Sequence, residues 1–456
     1  MKIRLYNSKS KKKEVFNPIN DQNVTMYVCG PTVYGAHHIG NARPAVVFDI
    51  LAKLLREKFK NVTYARNITD IDDKIINAAI SENLEITEIS ERSTKQYHSD
   101  MITLNVDDPD REPYATEHIP EMINFIDDLL RKNNAYESGK HVLFDITSYD
   151  NYGELSGRDP KDMIAGSRVQ VQSYKRNPLD FVLWKPSKDD EVGWPSPWGK
   201  GRPGWHLECS TMILEMFGET IDIHGGGEDL RFPHHENECA QSFCRNDGKA
   251  LANYWLHNGM VQMENSKMSK SLGNILLIKD LIKDIPGEVI RLTLISAHYR
   301  QPLKWSDELI DQSKKTLRNM YSFLEEFEDD DLIESSPDKK FLEALSDDLN
   351  TPKAISVIHS MFKELKKSPK DINLRSSFIK SANFLGLLKS KPSEWDVKSS
   401  ENIDKKMIND LIKRRNQARK DKNFEESDHI REQLLSMGIT LEDNEDGTVW
   451  RKTDCK

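Results

Sequence analysis

The most constraining stretch of the chain runs from Val24 to Ile68. Val24 to Cys29 is a short run of apolar and β-favouring residues stopped by Gly30-Pro31, which reads as a buried strand ended by a turn. A loop rich in glycine and histidine follows. Apolar residues then recur at Val47, Ile50, Leu51, Leu54 and Leu55, in steps of three and four that place them on one helix face. Asn61 to Ile68 reads as a second strand. Strand, glycine-bearing turn, helix and strand make a βαβ unit, the building block of an α/β fold with a Rossmann-like, doubly wound parallel sheet. Ligands of such sheets bind beyond the carboxyl ends of the strands, where Cys29 and the His37-His38 loop are expected.

With 456 residues the chain exceeds one ordinary core, so several domains are expected. From about residue 101 to 204 Pro, Asp and Gly become frequent, Trp184, Trp194 and Trp198 cluster, and the strands look short. This reads as an insertion inside the first domain, with sheet-like character resuming near Trp205. Beyond about residue 276 helical periodicity takes over. Ile355, Ile358, Phe362 and Leu365 share a face, in a helix opened by Thr351-Pro352. Ser390 to Ser400 reads as a polar linker before a small charged module that runs to Lys456.

The formal charge of −9 argues against an all-over basic coat, yet leaves room for a local one. Such a patch lies between Lys405 and Lys422, where eight Lys and Arg face only Asp410 and Asp421; a solvated helix face is the blander alternative. No apolar run is long enough to span a bilayer, and the first residues lack the apolar stretch of a signal peptide, so the cytoplasm is the expected compartment and no membrane partner is expected. Five irregularly spaced cysteines suit metal ligands or buried thiols better than a disulfide framework.

Three segments carry chemistry. His38-Ile39-Gly40-Asn41 follows the first strand and opens the helix, so backbone N–H groups and the helix dipole favour phosphate there, with imidazole donors to add. Lys267-Met268-Ser269-Lys270-Ser271 sets two lysines beside small hydroxyl residues, a clamp that offsets charge developing on a leaving pyrophosphate. The third segment runs from Ile221 to Glu238. His234 and Glu238 lie four apart, at metal-ligand spacing on one helix face, and Cys29 and Cys209 could add thiolates. Spacing alone leaves seven candidate ligands: Cys29, Cys209, His234, His235, Glu238, Cys239 and Cys244. Gly225-Gly226-Gly227-Glu228-Asp229 could offer a flat surface to an adenine, with Asp229 near the ribose, or could simply make a tight turn.

The first two segments, 229 positions apart from His38 to Lys267, resemble the HIGH and KMSKS signatures of class I aminoacyl-tRNA synthetases, with Asn41 in place of the last histidine. The resemblance sharpens to the cysteinyl-tRNA synthetases through Tyr27-Val28-Cys29-Gly30-Pro31-Thr32-Val33-Tyr34, Asn67-Ile68-Thr69-Asp70-Ile71-Asp72-Asp73-Lys74, Gly204 to Ser210 and the Gly-Gly-Gly to Pro-His-His-Glu-Asn-Glu stretch. Gly438 to Asp443 and Gly447 to Arg451 resemble that family's terminal module.

The resemblance implies a zinc ion, one per chain, held by Cys29, Cys209, His234 and Glu238 and reading the cysteine thiolate. It implies ATP with Mg²⁺ held by His38, Gly40, Asn41, Asp229, Lys267, Ser269 and Lys270, of which His38, Asn41, Lys267 and Lys270 are catalytic. Gly30, Thr32, Thr69 and Trp205 would shape the amino-acid pocket. The partners implied are L-cysteine, ATP and the cysteine tRNA, acting on a monomer. The domains implied are a catalytic domain at 1–115 and 205–275, a connective insertion at 116–204, a stem-contact region at 276–320, a helical bundle at 321–400 and an anticodon-binding module at 401–456. Two alternatives stand beside this reading: a cysteine ligase acting on an amino-sugar acceptor, and a non-catalytic relative that binds tRNA or zinc. The C-terminal module speaks against the first, and intact His38, Lys267 and Lys270 against the second.

Overall fold

The computed structural model describes residues 2–159, 172–263, 275–328, 332–395, 405–421, 423–436, 439–444 and 447–452. These divide into two compact units, Met1–Glu394 and Trp395–Lys456.

In the first unit an antiparallel hairpin, β1 (Arg4–Asn7) and β2 (Lys12–Val15), precedes the βαβ unit expected from the sequence. That unit consists of β3 (Val24–Val28), α1 (Ile39–Arg56) and β4 (Val62–Arg66), with β3 and β4 paired in parallel. Two helices follow, α2 (Asp73–Glu82) and α3 (Ile86–Thr103). The chain then leaves the sheet for α4 (Ile119–Arg131) and four strands, β5 (Ala135–Ser138), β6 (His141–Phe144), β7 (Phe181–Pro186) and β8 (Gly201–Pro203), which pair antiparallel in that order. Their core includes Met122, Phe125, Val142, Phe144, Leu183 and Trp184, so the insertion buries apolar surface of its own.

The main sheet does not resume at Trp205. That residue opens a helix, α5 (Trp205–Phe217), entered through Gly204, where any Cβ would stand 1.9 Å from the Val182 carbonyl oxygen. The sheet continues with β9 (Ile221–Gly227), α6 (Glu236–Arg245) and β10 (Ala252–Asn258). The order β10-β9-β3-β4, all parallel, makes the boundary between β3 and β9 the switch point. From there the chain winds one way to β4 and the other to β10, and the loops diverge to leave a crevice. Phe48 of α1 packs against Gly225 on one face, while Cys209, Met212 and Ile213 of α5 join Tyr27, Ile221 and Trp255 on a buried core.

After β11 (Val261–Met263), α7 (Ile278–Asp284) and α8 (Gly287–Ile295), β12 (Leu303–Trp305) pairs with β11. Among the described residues the unit continues with α9 (Asp307–Leu324), α10 (Lys339–Ser346), α11 (Thr351–Leu365) and α12 (Ile372–Phe384), before a single helical turn at Pro392–Trp395. Asn350 caps α11 by accepting from the Lys353 N–H, and Pro352 sits in its first turn. Ala354, Ile358, Met361, Phe362 and Leu365 are its buried face, and Ile355 lies at the margin. The second unit is a pair of helices, α13 (Lys405–Lys420) and α14 (Phe424–Ser436), with a hairpin of β13 (Ile439–Asn444) and β14 (Gly447–Lys452). Ile408, Leu411, Ile430, Leu434 and Ile439 form its core. Among the described residues no helix is long and apolar enough to cross a membrane.

Candidate metal centre and nucleotide cavity

Two structural features meet at the switch point. One is a cavity of about 830 Å³ whose lining includes Gly30, Thr32, His38, Gly40, Asn41, Trp205 and Asp229. The other is a knot of buried donors beneath it, joined to the cavity through Cys29, which lines it as well.

The donors come from four elements. Cys29 follows β3, Cys209 lies in α5, Glu238 lies in α6, and His234 sits in a π-type turn, Arg231–His235, that runs directly into α6. Cys29 Sγ is 3.5 Å from each of Cys209 Sγ, His234 Nε2 and Glu238 Oε1, and Cys209 Sγ is 3.8 Å from His234 Nε2. A tetrahedral ion with metal–sulfur bonds near 2.3 Å and metal–nitrogen bonds near 2.0 Å has edges of about 3.8 Å for S···S and about 3.5 Å for S···N. The observed separations match these edges. Only His234 Nε2 to Glu238 Oε1, at 2.8 Å, is at hydrogen-bond length. Of the seven candidates left open by spacing, these four fall within 4.8 Å of one another, and a fifth, His235, lies beside them with its Nε2 3.3 Å from Cys29 Sγ. Cys239 and Cys244 belong to neither metal-capable group among the described residues; burial pushes both thiols up, as expected of inert packing thiols.

The four groups also shift one another's protonation. Burial opposes the Cys209 thiolate, yet contacts with Cys29 and the His234 imidazole outweigh it and bring the thiol down to about 6. Burial likewise opposes a charged His234, and the Glu238 carboxylate overcomes it, raising the imidazole to about 10. Burial keeps Cys29 well above the usual thiol range. Around these lies a ring of partners that the sequence reading missed. His206 Nδ1 is 3.0 Å from His234 Nδ1, and His224 Nε2 is 2.5 Å from Glu238 Oε2. Distal contacts of this kind orient metal ligands. The available signal was His224 itself, a histidine inside a buried strand beside glycines.

Gly30 is held tightly. Its N–H donates to Asn67 Oδ1 at 2.9 Å, and an added Cβ would stand 1.6 Å from the Asn67 carbonyl oxygen. Asn67 Nδ2 donates to Thr69 Oγ1 at 3.2 Å, which donates to Glu208 Oε2 at 2.9 Å. Thr69, 2% exposed, is not part of the cavity lining; it braces Thr32, with which it forms a bridge. Trp205 does line the cavity, stacked on His234.

On the nucleotide side, His38 is the N-cap of α1, and Asn41 Oδ1 accepts the His38 N–H at 3.2 Å. Asparagine therefore serves a capping role that uses its amide oxygen. His37 is buried against Tyr97, ring centroids 4.9 Å apart, and burial lowers it to about 4, so it is neutral at pH 7. The glycine run does not form one flat surface. Gly225 faces Phe48, Gly226 faces His235, and only Gly227 lines the cavity, with Asp229 Oδ1 2.3 Å from where its Cβ would be. Lys267, Ser269 and Lys270 lie outside the described residues. The residues that flank that stretch, Met263 and Ile275, both line the cavity, and Ile278 N–H donates to the His37 carbonyl at 2.9 Å.

Comparison with known proteins identifies the family. The family described as "tRNA synthetases class I (C) catalytic domain" matches residues 15–315, a DALR domain matches 340–389, and a "Cysteinyl-tRNA ligase anticodon binding domain" matches 405–451. A cysteine–tRNA ligase of Parvibaculum lavamentivorans is 51% identical over 459 residues, covering 99% of this chain and 98% of that protein. One from Wolbachia pipientis wMel is 48% identical, covering 98% and 99%. Among solved structures, the ternary tRNA complex of LeuRS from Agrobacterium radiobacter K84 aligns with TM-score 0.60 at 12% identity, over 85% of this chain and 86% of that one. Mycobacterium tuberculosis methionyl-tRNA synthetase with methionyl-adenylate aligns with TM-score 0.56 at 14% identity, over 86% and 94%. These two speak to the fold alone. The switch-point cavity, the catalytic-domain match and relatives about half identical from end to end together place the chain in the cysteine–tRNA ligase family of class I aminoacyl-tRNA synthetases.

Proposed function

We propose that the chain activates L-cysteine with ATP and transfers it to the terminal adenosine of the cysteine tRNA. The observation that carries the reading is the four-donor cluster set directly under the nucleotide cavity and sharing Cys29 with it. Cysteine and serine differ by one atom, and an apolar pocket separates near-isosteres weakly. A zinc ion on Cys29, Cys209, His234 and Glu238 would supply a Lewis acid that lowers the thiol pKa and prefers thiolate to hydroxyl. Trp205 then walls the side chain, and Gly30 and Thr32 lie beside its backbone.

In the first step the cysteine carboxylate oxygen attacks the α-phosphorus of ATP and the bond from that phosphorus to the α,β-bridging oxygen breaks, giving cysteinyl-adenylate and pyrophosphate. In the second a ribose hydroxyl of the terminal adenosine, the 2′-hydroxyl in class I enzymes, attacks the acyl carbon and AMP leaves. His38, at the mouth of α1, donates toward phosphate oxygens. Asn41 holds the backbone of His38, and Gly40 permits close approach. Asp229 faces the ribose side. Lys267, Ser269 and Lys270 would grip the triphosphate with Mg²⁺ shielding it. No covalent enzyme intermediate is required, so positioning and electrostatics provide the rate. The module at 405–452 would meet the anticodon, and a cytoplasmic location accompanies this role.

Cysteine-dependent ATP–pyrophosphate exchange followed by tRNA charging tests the reading. Exchange and charging are both expected. An absence of exchange would refute it, and exchange without charging would transfer it to an amino-sugar acceptor.

A further inference from the structure

We propose that Cys29, His224, His235 and Glu238 form a second, alternative berth for the metal, adjoining the first and occupied only when the first is not. Their donor atoms also lie within 4.8 Å of one another, and all four residues are buried. Cys29 Sγ is 3.3 Å from His235 Nε2 and 3.9 Å from His224 Nε2. Glu238 is shared through its two oxygens, with Oε1 toward His234 at 2.8 Å and Oε2 toward His224 at 2.5 Å. Cys29 and Glu238 thus stand between two pairs of ligands, Cys209 and His234 on one side, His224 and His235 on the other.

The distal nitrogens of both imidazoles are engaged in the way ligating histidines require. His224 lies on β9 opposite Tyr27 of β3, and its Nδ1 is 3.1 Å from the Tyr27 carbonyl oxygen. A carbonyl only accepts, so Nδ1 carries a proton there. His224 Nε2 then faces a carboxylate oxygen, and an electropositive centre, proton or metal, must lie between them. His235 Nδ1 is 2.8 Å from His257 Nε2, and His257 Nδ1 is 2.8 Å from Ser8 Oγ. That chain can terminate at the serine hydroxyl, which leaves the His235 Nε2 lone pair directed at Cys29.

The two berths differ in softness. The first offers two thiolates, one imidazole and one carboxylate; the second offers one thiolate, two imidazoles and one carboxylate. Thiolate-rich sites suit zinc, whereas imidazole suits copper, iron and nickel as well as zinc. Two dications sharing Cys29 and Glu238 in a buried pocket would repel strongly, so one ion per chain is expected at a time.

The inference rests on the reading of the cavity floor as a metal site, and Co²⁺ absorption of the full-length protein separates the two. Chelator-stripped protein should bind one Co²⁺ per chain. The double variant Cys209→Ser/His234→Ala should still bind one, with the thiolate-to-cobalt band roughly halved because one thiolate of two remains. Adding His224→Ala or His235→Ala to that background should weaken Co²⁺ binding at least about tenfold. Cys209→Ser alone, close to volume-conserving, repeats the measurement should the double variant not fold. Loss of Co²⁺ from folded Cys209→Ser or from the double variant, indifference to His235→Ala, or two ions per wild-type chain would overturn the second berth. A wild-type chain that binds no Co²⁺ would overturn the metal reading itself.

Discussion

The indole of Trp205 lies almost flat on the imidazole of His234, ring centroids 4.1 Å apart and planes inclined by 19°. Trp205 opens α5, which also carries Cys209, so a single helix supplies one donor and the cover over another. The ring is 37% exposed, and the exposed part lines the cavity. Trp205→Ala should raise the KM for cysteine roughly tenfold, a loss of about 1.4 kcal/mol, with metal content unchanged. Pyrophosphate exchange across a cysteine series, with metal analysis of the same protein, checks this. Loss of the metal would instead make the indole a support for His234.

Cys209→Ala removes the thiol that the pocket brings down to about 6. Cysteine activation should fall more than about a hundredfold, because the remaining donors cannot restore the first ligand set. ATP binding, read by equilibrium dialysis, should stay within about twofold. A parallel loss of ATP binding would contradict the separation of metal centre and nucleotide cavity.

Gly30→Ala places a methyl group 1.6 Å from the Asn67 carbonyl oxygen and 2.8 Å from its carbon, both of them backbone atoms. The ends of β3 and β4 must part, and Cys29 moves with them. Overpacking of this kind costs about 1–3 kcal/mol. A lower unfolding midpoint together with reduced metal content is expected in thermal and metal assays.

Asn41→Ala should cost about 1 kcal/mol of stability, since the His38 N–H loses its partner at 3.2 Å. Activation should slow more than ATP affinity declines, because His38 is the group displaced. Exchange kinetics at saturating and limiting ATP distinguish the two effects.

Asp49 of α1 and Arg291 of α8 form a buried ion pair, joined by Lys53 at 2.9 Å from Asp49. Burial opposes the Asp49 charge, and Arg291 and then Lys53 overcome it, holding the carboxyl below its ordinary value of 3.8. A depressed folded-state value means that the stabilisation is complete above the ordinary carboxylate range and fades as pH falls through it. Asp49→Asn should cost about 3–5 kcal/mol at neutral pH, since Arg291 is left buried without its counter-charge. Denaturant titrations at pH 7 and pH 4 should show the wild-type advantage narrowing at the lower pH.

Much of this was legible in the sequence because the signals were local. The step from Val47 to Leu55 specified α1, and Asn61 to Ile68 contained β4. Thr351-Pro352 marked the first turn of α11 correctly, although its cap is Asn350 and Ile355 sits at the margin of the buried face. Trp205 looked like returning sheet because its neighbours are apolar and aromatic; the glycine before it, pressed on the Val182 carbonyl, starts a helix instead. The glycine run read as either a flat surface or a tight turn, but Gly225 and Gly226 alternate across a strand and meet Phe48 and His235 on opposite faces.

The sequence by itself determined the residue types: a βαβ unit ending in Cys29, a helix opened by His38, and an i, i+4 pair at His234 and Glu238. Spacing left seven candidate ligands, because distances between Cys29, Cys209 and the Ile221–Glu238 segment are not encoded locally. Tertiary structure narrowed them, since parallel pairing of β3 with β9 brings Cys29 against the α5–α6 face, where Cys209, His234, His235 and Glu238 gather around it and Cys239 and Cys244 do not. The same pairing set Tyr27 opposite His224 and so created the shell of histidines around Glu238. That shell depends on strand register, and register is a property of the assembled sheet.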